Sequence, residues 1–324
     1  MGYTSISDIS LSNALLKATQ DNKYDYSQEL IRISTGKKYL KRSDDPIATN
    51  EAATINIDMS KNERWISNVE SAENWEIATS SALENISSSM QSANELIVQM
   101  NSGILDADDY KNIAYEVEQI IESLVSSGNS KYLGTEIFAG VSTGSDPFTA
   151  TRDADGKITD VTFLDPASGI TTTSRRSVAI SETSTSEYGL TGDEIFKFQN
   201  LENTGTEAVP NWQYVDVDIF ETLIEIRDTL ELGELPPLEL SERAQAGLDN
   251  VTSKLVANST SQQKFKAVGS NLSNLAQVAF NRLSEVEDLD VALAATNLTS
   301  FEAALEASYQ ILAGMNGLSL MDYI

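Results

Sequence analysis

The stretch LENISSSMQSANELIVQMNSGI, residues 83–104, places Leu83, Ile86, Met90, Ala93, Ile97, Met100 and Ile104 at alternating spacings of three and four. That alternation is the heptad stripe of a helix packed lengthwise on another helix. It lies inside a longer run, between Pro46 and Gly103, that contains no other Gly or Pro. If Pro46 to Ser102 form one helix, its length is on the order of 85 Å, a rod rather than a globule. A single apolar edge cannot be buried alone, so this helix needs partners elsewhere in the chain.

Candidate partners follow from the same periodicity. A second stripe runs through Tyr110, Ile113, Val117, Ile120 and Leu124, with Asp106, Asp108 and Asp109 placed to cap its N-terminus and complement its dipole. Far downstream the alternation returns at Phe265, Val268, Leu272, Leu275, Ala279, Val286, Leu289 and Leu293, interrupted only by Arg282. No Gly or Pro lies between Gly269 and Gly314, so that stretch also reads as uninterrupted helix. By contrast, nine of the 17 glycines fall between Gly128 and Gly205, which makes the middle a region of strands and turns. Phe148–Arg152 and Lys157–Phe163 flank Asp153-Ala154-Asp155-Gly156, a turn sequence that predicts a β-hairpin. Thr171–Ile180 and Trp212–Ile219 are further β-like runs. The expected fold class is α+β: an elongated antiparallel helical bundle built from both chain ends, carrying a small inserted β domain. The expected segments are a terminal helix and basic connector at 1–44, one half of the rod at 45–140, the β insert at 141–218, and the other half with the second terminal helix at 219–324.

Composition excludes several functional classes. Lys and Arg total 22 against 49 Asp and Glu, a formal charge of −27 that repels nucleic-acid phosphates and anionic lipid surfaces. Neither nucleic acid nor membrane is an expected partner. With no His and no Cys, the chain lacks the usual ligands for zinc and haem, the thiol nucleophile and the commonest general base. No metal, cofactor or enzymatic activity is expected. The first residues, MGYTSISDISLSNALL, show neither a basic nor an apolar leader region, so any export is expected to proceed without an ordinary cleaved signal.

Against that background the stretch RISTGKKYLKRSDDP, residues 32–46, stands out: Arg32, Lys37, Lys38, Lys41 and Arg42 fall within eleven positions. Thr35-Gly36-Lys37-Lys38 resembles the end of a phosphate loop, but that motif needs Gly where Ile31 stands and Ser or Thr where Lys38 stands. Asp44 and Asp45 read as a helix cap with Pro46 at the first helical position, in preference to a catalytic carboxylate pair. Asp153, Asp155 and Gly156 form a hairpin turn; the glycine comes two positions too early for a calcium loop. Trp65 and Trp75 read as packing residues of the long helix. The acidic run Glu285, Glu287, Asp288 and Asp290 reads as a solvated helix face, or as the contact of the basic segment.

Three stretches together resemble one family. LIRISTGKKYLKRSDDP, residues 30–46, is similar to the N-terminal pattern of the bacterial flagellin superfamily, where a helix runs into a Ser/Thr-Gly turn and an Asp-Asp element before a long helix. Asp-Asp-Pro is closer to the superfamily's hook–filament junction branch than to filament flagellin, which usually has Asp-Asp-Ala-Ala-Gly. GTEIFAGVSTGSDPF, residues 134–148, and GLSLMDYI, residues 317–324, resemble the same branch. The resemblance covers roughly residues 1–148 and 240–324.

This resemblance implies a non-enzymatic structural subunit, exported through the flagellar apparatus and assembled extracellularly at the end of the hook. It implies contact with further copies of itself in a ring, with a hook-associated junction protein on the hook side, with flagellin on the filament side, and with an export chaperone at the C-terminal helix. Ile9, Leu16, Leu30 and Ile33 would form the sparse apolar edge of the N-terminal helix. Leu305, Tyr309, Leu312, Met315, Leu318, Leu320, Tyr323 and Ile324 would form the richer edge of the C-terminal segment. Lys37, Lys38, Lys41 and Arg42 would set register against Glu285, Glu287, Asp288 and Asp290 of the same or an adjacent subunit. Filament flagellin remains the near alternative, and a secreted carboxylate enzyme a distant one.

Overall fold

The computed structural model describes residues 4–102, 106–142, 144–164, 174–203 and 211–321. Among these residues the chain forms seven helices and eight short strands, the strands paired in four separate two-stranded antiparallel sheets. It divides into two compact units, Met1–Asn62 with Asn274–Ile324, and Glu63–Ser273.

In the larger unit the expected stripe is the core. Helix α2, Pro46–Ser102, contributes Leu83, Ile86, Met90, Ala93, Ile97 and Met100, all buried; Ile104 lies outside the described residues. Helix α3, Ala107–Gly128, starts as its aspartates require: Asp106 accepts from the N–H groups of Asp108 and Asp109, and Asp109 accepts in return from the N–H of Asp106. This reciprocal cap satisfies donors that the first helical turn leaves open. Helices α5, Ile219–Glu231, and α6, Leu238–Glu287, complete the helical core with Phe220, Leu223, Ile226, Leu240 and Val251. Within this unit α6 runs antiparallel to α2, since Asn258 donates to the Glu76 carbonyl at 2.9 Å while Ile219 and Met90 both approach Gly247.

The strands lie against this helical core. β1, Lys131–Tyr132, pairs with β2, Thr135–Glu136. The hairpin of β3, Phe148–Arg152, and β4, Ile158–Phe163, has the expected turn, with Asp153 accepting from the N–H groups of Asp155 and Lys157. Of the run Thr171–Ile180, Arg176–Ala179 is strand β5, paired with β6, Thr185–Tyr188; residues 171–173 lie outside the described residues. After the short helix α4, Gly192–Phe196, β7, Lys197–Asn203, pairs along its length with β8, Trp212–Asp218. Phe148 packs against Phe163, Phe196 and Phe220, with ring centroids 4.9–5.5 Å apart. Gly192 is required there, because a Cβ would lie 2.5 Å from Phe148 Cζ.

The downstream helix departs from expectation. The stripe predicts one helix on to Leu293, but α6 stops at Glu287 and helix α7, Val291–Met321, begins after three intervening residues. The reason is local side-chain chemistry, which operates without Gly or Pro. Asp290 Oδ1 accepts from the N–H groups of Ala292 and Leu293, each at 3.0 Å, and so starts a new helix. The acidic run therefore spans a helix end, and Leu275 and Leu293, placed on the stripe, are exposed.

One buried group of the larger unit is out of keeping with its surroundings. Glu76 is 2% exposed; Oε1 accepts from Gly189 N at 3.0 Å and Ser261 Oγ at 2.7 Å, while Oε2 has no partner. Burial pushes this carboxyl above its ordinary range. A folded-state value above the unfolded one means that the carboxyl stabilises fully below the unfolded pKa and loses that contribution as pH rises through the folded one. The substitution Glu76→Gln is expected to raise the unfolding temperature at pH 7.5, in keeping with the roughly 1–3 kcal/mol cost of an unsatisfied buried group. That advantage should shrink toward pH 4.5 in thermal scans; a gap independent of pH would refute the assignment.

Candidate assembly interface

In the smaller unit the two chain ends pair as antiparallel helices. Helix α1, Thr4–Thr35, lies along α7: Asn22 Nδ2 donates to Ser308 Oγ at 2.8 Å, and about two to three turns on, Asn297 Nδ2 donates to Glu29 Oε1 at 3.4 Å. Glu29 is buried and also holds Arg32 Nη1 at 3.2 Å. The pairing is thus polar at several levels, which matches the sparse apolar edge of α1.

The helices leave much apolar surface uncovered. Leu16, Leu30 and Tyr309 are each about half exposed, as are Leu11 and Ile311. Ile33, Leu305 and Leu312 are half-buried. Ile9, Met315, Leu318 and Leu320 fall on the helical backbone of α1 and α7; Tyr323 and Ile324 lie outside the described residues. Such a surface on a chain otherwise rich in carboxylates marks a place for partners.

The basic connector is built on Gly36, whose φ of +69° ends α1 in the left-handed region that favours glycine. Its carbonyl accepts from Leu289 N at 2.9 Å and Lys38 N donates to the Glu287 carbonyl at 2.8 Å, with Lys37 and Asp288 paired across the two segments. Lys37 Nζ forms an ion pair with Glu287. The connector and the α6–α7 junction therefore form a small antiparallel clasp, in which backbone bonds do what a run of charges alone would do weakly. Of the other acidic residues, Glu285 pairs with Arg282, Asp288 accepts from Ser284, and Asp290 caps α7. Glu287 alone of the four forms an ion pair with the basic stretch.

The two adjacent aspartates divide their work. Asp44 Oδ2 accepts from the N–H groups of Leu40 and Lys41, closing the turn before the long helix, while Asp45 Oδ1 accepts from Ile47 and Ala48 and caps α2 at Pro46. These N–H donors, those of Lys41 and Ala48 above all, hold both carboxyls below the usual range. Both aspartates are thereby occupied as backbone acceptors. Among the described residues no group of His, Cys, Asp or Glu is arranged to hold a metal ion. No described helix is long and apolar enough to cross a membrane.

Sequence reasoning missed three features: buried Glu29, the pair of Arg282 with Glu51 at 2.6 Å, and the wide exposure of Ile47. Gly36 signalled the turn and charge pointed to the acidic run some 250 residues away, but nothing in the local sequence signalled the backbone bonds that close the clasp.

Paired terminal helices are joined by a glycine-based connector to a long capped helix, with short hairpins on the helical core, and this arrangement is similar to that of the bacterial flagellin superfamily. Residues 6–143 match the family model described as the bacterial flagellin N-terminal helical region. The chain is similar to flagellar hook-associated protein 3 of Salmonella typhimurium, 27% identical over 308 residues, and of Escherichia coli K12, 25% identical over 307 residues. Each alignment covers 89% of this chain and 90% of the relative. A solved structure assigned to the flagellar hook-associated proteins, from Vibrio parahaemolyticus, shares the fold with a TM-score of 0.58 and 15% identity, covering 76% of this chain and 100% of that one.

Proposed function

We propose that this chain is a structural subunit of the bacterial flagellum that joins hook to filament. The observation that carries the reading is the likeness to hook-associated protein 3 along 89% of the chain. Paired terminal helices with uncovered apolar edges support assembly through those helices. The subunit works without catalysis: it presents one surface to hook-side proteins, another to flagellin, and its own flanks to further copies in a ring. Export through the flagellar apparatus without a cleaved signal, and shielding of the C-terminal helix by a chaperone before assembly, complete the reading.

Immunogold labelling with an antibody to residues 174–203 tests it. A single band at the distal end of the hook is expected, and deletion of the gene should leave intact hooks while flagellin escapes into the medium. Label along the whole filament would assign the chain to filament flagellin instead.

A further inference from the structure

Two exposed isoleucines, each set among unpaired charges of opposite sign, are complementary in a way the functional reading does not use. Ile47, in the first turn of α2, is 82% exposed. Beside it the stapled turn at 40–44 carries exposed Lys41 and Arg42, with exposed Lys38 just before it. Within the chain Lys37 is taken by Glu287, but Lys38, Lys41 and Arg42 have no ion-pair partner among the described residues. Asp44 and Asp45 in the same segment are spent on backbone N–H groups, and Glu51, one turn beyond Ile47, is paired with Arg282. The result is an apolar centre with a cationic rim, the usual anatomy of a protein-binding patch.

Further along α2, Glu63, Glu70, Ile77 and Glu84 recur at intervals of seven. At that interval the four residues lie on one face of the helix, about 10 Å apart. All four are exposed, Ile77 by 51%, and none of the three glutamates has an ion-pair partner among the described residues. This face is an apolar centre with an anionic rim. The division of charge favours the match: the unit Glu63–Ser273 has 34 acidic against 13 basic residues, whereas the other unit has 15 against nine and contains the cationic patch.

We infer that the patch of Lys38, Lys41, Arg42 and Ile47 on one copy docks on the Glu63, Glu70, Ile77, Glu84 face of α2 in a second copy of this chain. The contact is heterologous, because patch and face differ. A contact of that type propagates into a ring or a helical row, as a tubular assembly requires, instead of closing as a dimer. It also relieves part of the repulsion that crowding copies of charge −27 creates. The inference rests on the proposal that the chain assembles at the junction, and names the surface by which copies meet.

Because the chain has no Cys, introduced thiols are the only ones present. In flagella purified from cells making the double variant Ile47→Cys, Ile77→Cys, mild oxidation is expected to give a ladder of covalent multimers. Either single variant alone should give none, and a mixture of the two should give dimers only. Incorporated double variant that stays monomeric, or a single variant that cross-links to itself, would overturn the docking while leaving the functional reading intact. Charge exchange decides the matter if the double variant fails to incorporate. Lys38→Glu, Lys41→Glu and Arg42→Glu together should cut incorporation about tenfold or more. Adding Glu63→Lys, Glu70→Lys and Glu84→Lys should restore most of it. Failure of the exchange to restore incorporation overturns the docking; absence of the parent chain from the hook's end overturns the functional reading and the docking with it.

Discussion

Replacing Arg227 with methionine is expected to destabilise the larger unit by about 3–5 kcal/mol, the range found when one member of a buried ion pair is removed. The guanidinium is 3% exposed and joins three elements. Nη1 pairs with Glu118 of α3 and donates to the Ile158 carbonyl of β4 at 2.6 Å, while Nε donates to Asp228 of α5 at 2.9 Å. The carboxylates of Glu118 and Asp228 hold Arg227 above its ordinary pKa despite burial, which works in the opposite sense. Glu118 is itself mostly buried and accepts from Ile158 N at 2.9 Å, so losing the cation strands an anion between α3 and the β3–β4 hairpin. Arg227→Lys should fall between, since an ammonium keeps the charge but lacks the fork that reaches Glu118, Asp228 and a carbonyl together. Arg227→Met with Glu118→Leu should recover much of the loss. Denaturant unfolding of the three variants measures these differences; a cost below about 1 kcal/mol for Arg227→Met would place the pair among weak surface bridges.

This site also marks the limit of what the sequence discloses. Periodicity depends on neighbours three and four residues apart, so the α2 stripe and the Asp106 cap were legible residue by residue, and the α3 stripe apart from Ile121, which is fully buried where the spacing placed Ile120. The β3–β4 hairpin was legible because Asp153 to Gly156 is a turn with a local mechanism. The pairing of Arg227 with Glu118 joins residues 109 apart in sequence, and no pattern in either segment selects the other. Glu76 is hidden likewise, since it sits at a helical position where its neighbours alone would not predict burial, whereas the clasp was half legible: charge paired the basic stretch with residues 285–290, but not through the backbone bond of Gly36 with Leu289. The break between α6 and α7 failed for another reason. Asp290 reads as surface charge in the sequence, although a short acidic side chain also starts a helix by binding backbone N–H groups. At the candidate interface the basic run was conspicuous, but its division into a clasped part, Lys37, and an unpaired part, Lys38, Lys41 and Arg42, required the fold.

Deleting residues 312–324 is expected to abolish incorporation into the flagellum while leaving the larger unit folded. The core of that unit is drawn from Glu63–Ser273, with Phe138, Phe196, Phe220 and Phe265 buried and Arg227 in place, so its cooperative thermal transition should be unchanged. The smaller unit has little reserve by comparison. Its terminal helices meet through polar contacts such as Asn22 with Ser308 and Asn297 with Glu29, and they leave Leu11, Leu16, Leu30, Tyr309 and Ile311 in water. Helices with so few buried apolar contacts depend on tertiary partners for their stability. On the proposed reading those partners are further subunits, and removing part of α7 removes surface from that contact before it can form. The truncated chain should therefore be recovered as soluble protein whose helical signal falls by no more than the deleted residues and some fraying of α1. It should be absent from purified hooks, and cells carrying it should shed flagellin. A truncated chain found at the hook's end at the parent level would show that the paired terminal helices do not hold the subunit in place, and would shift the weight of assembly to α2 and the connector.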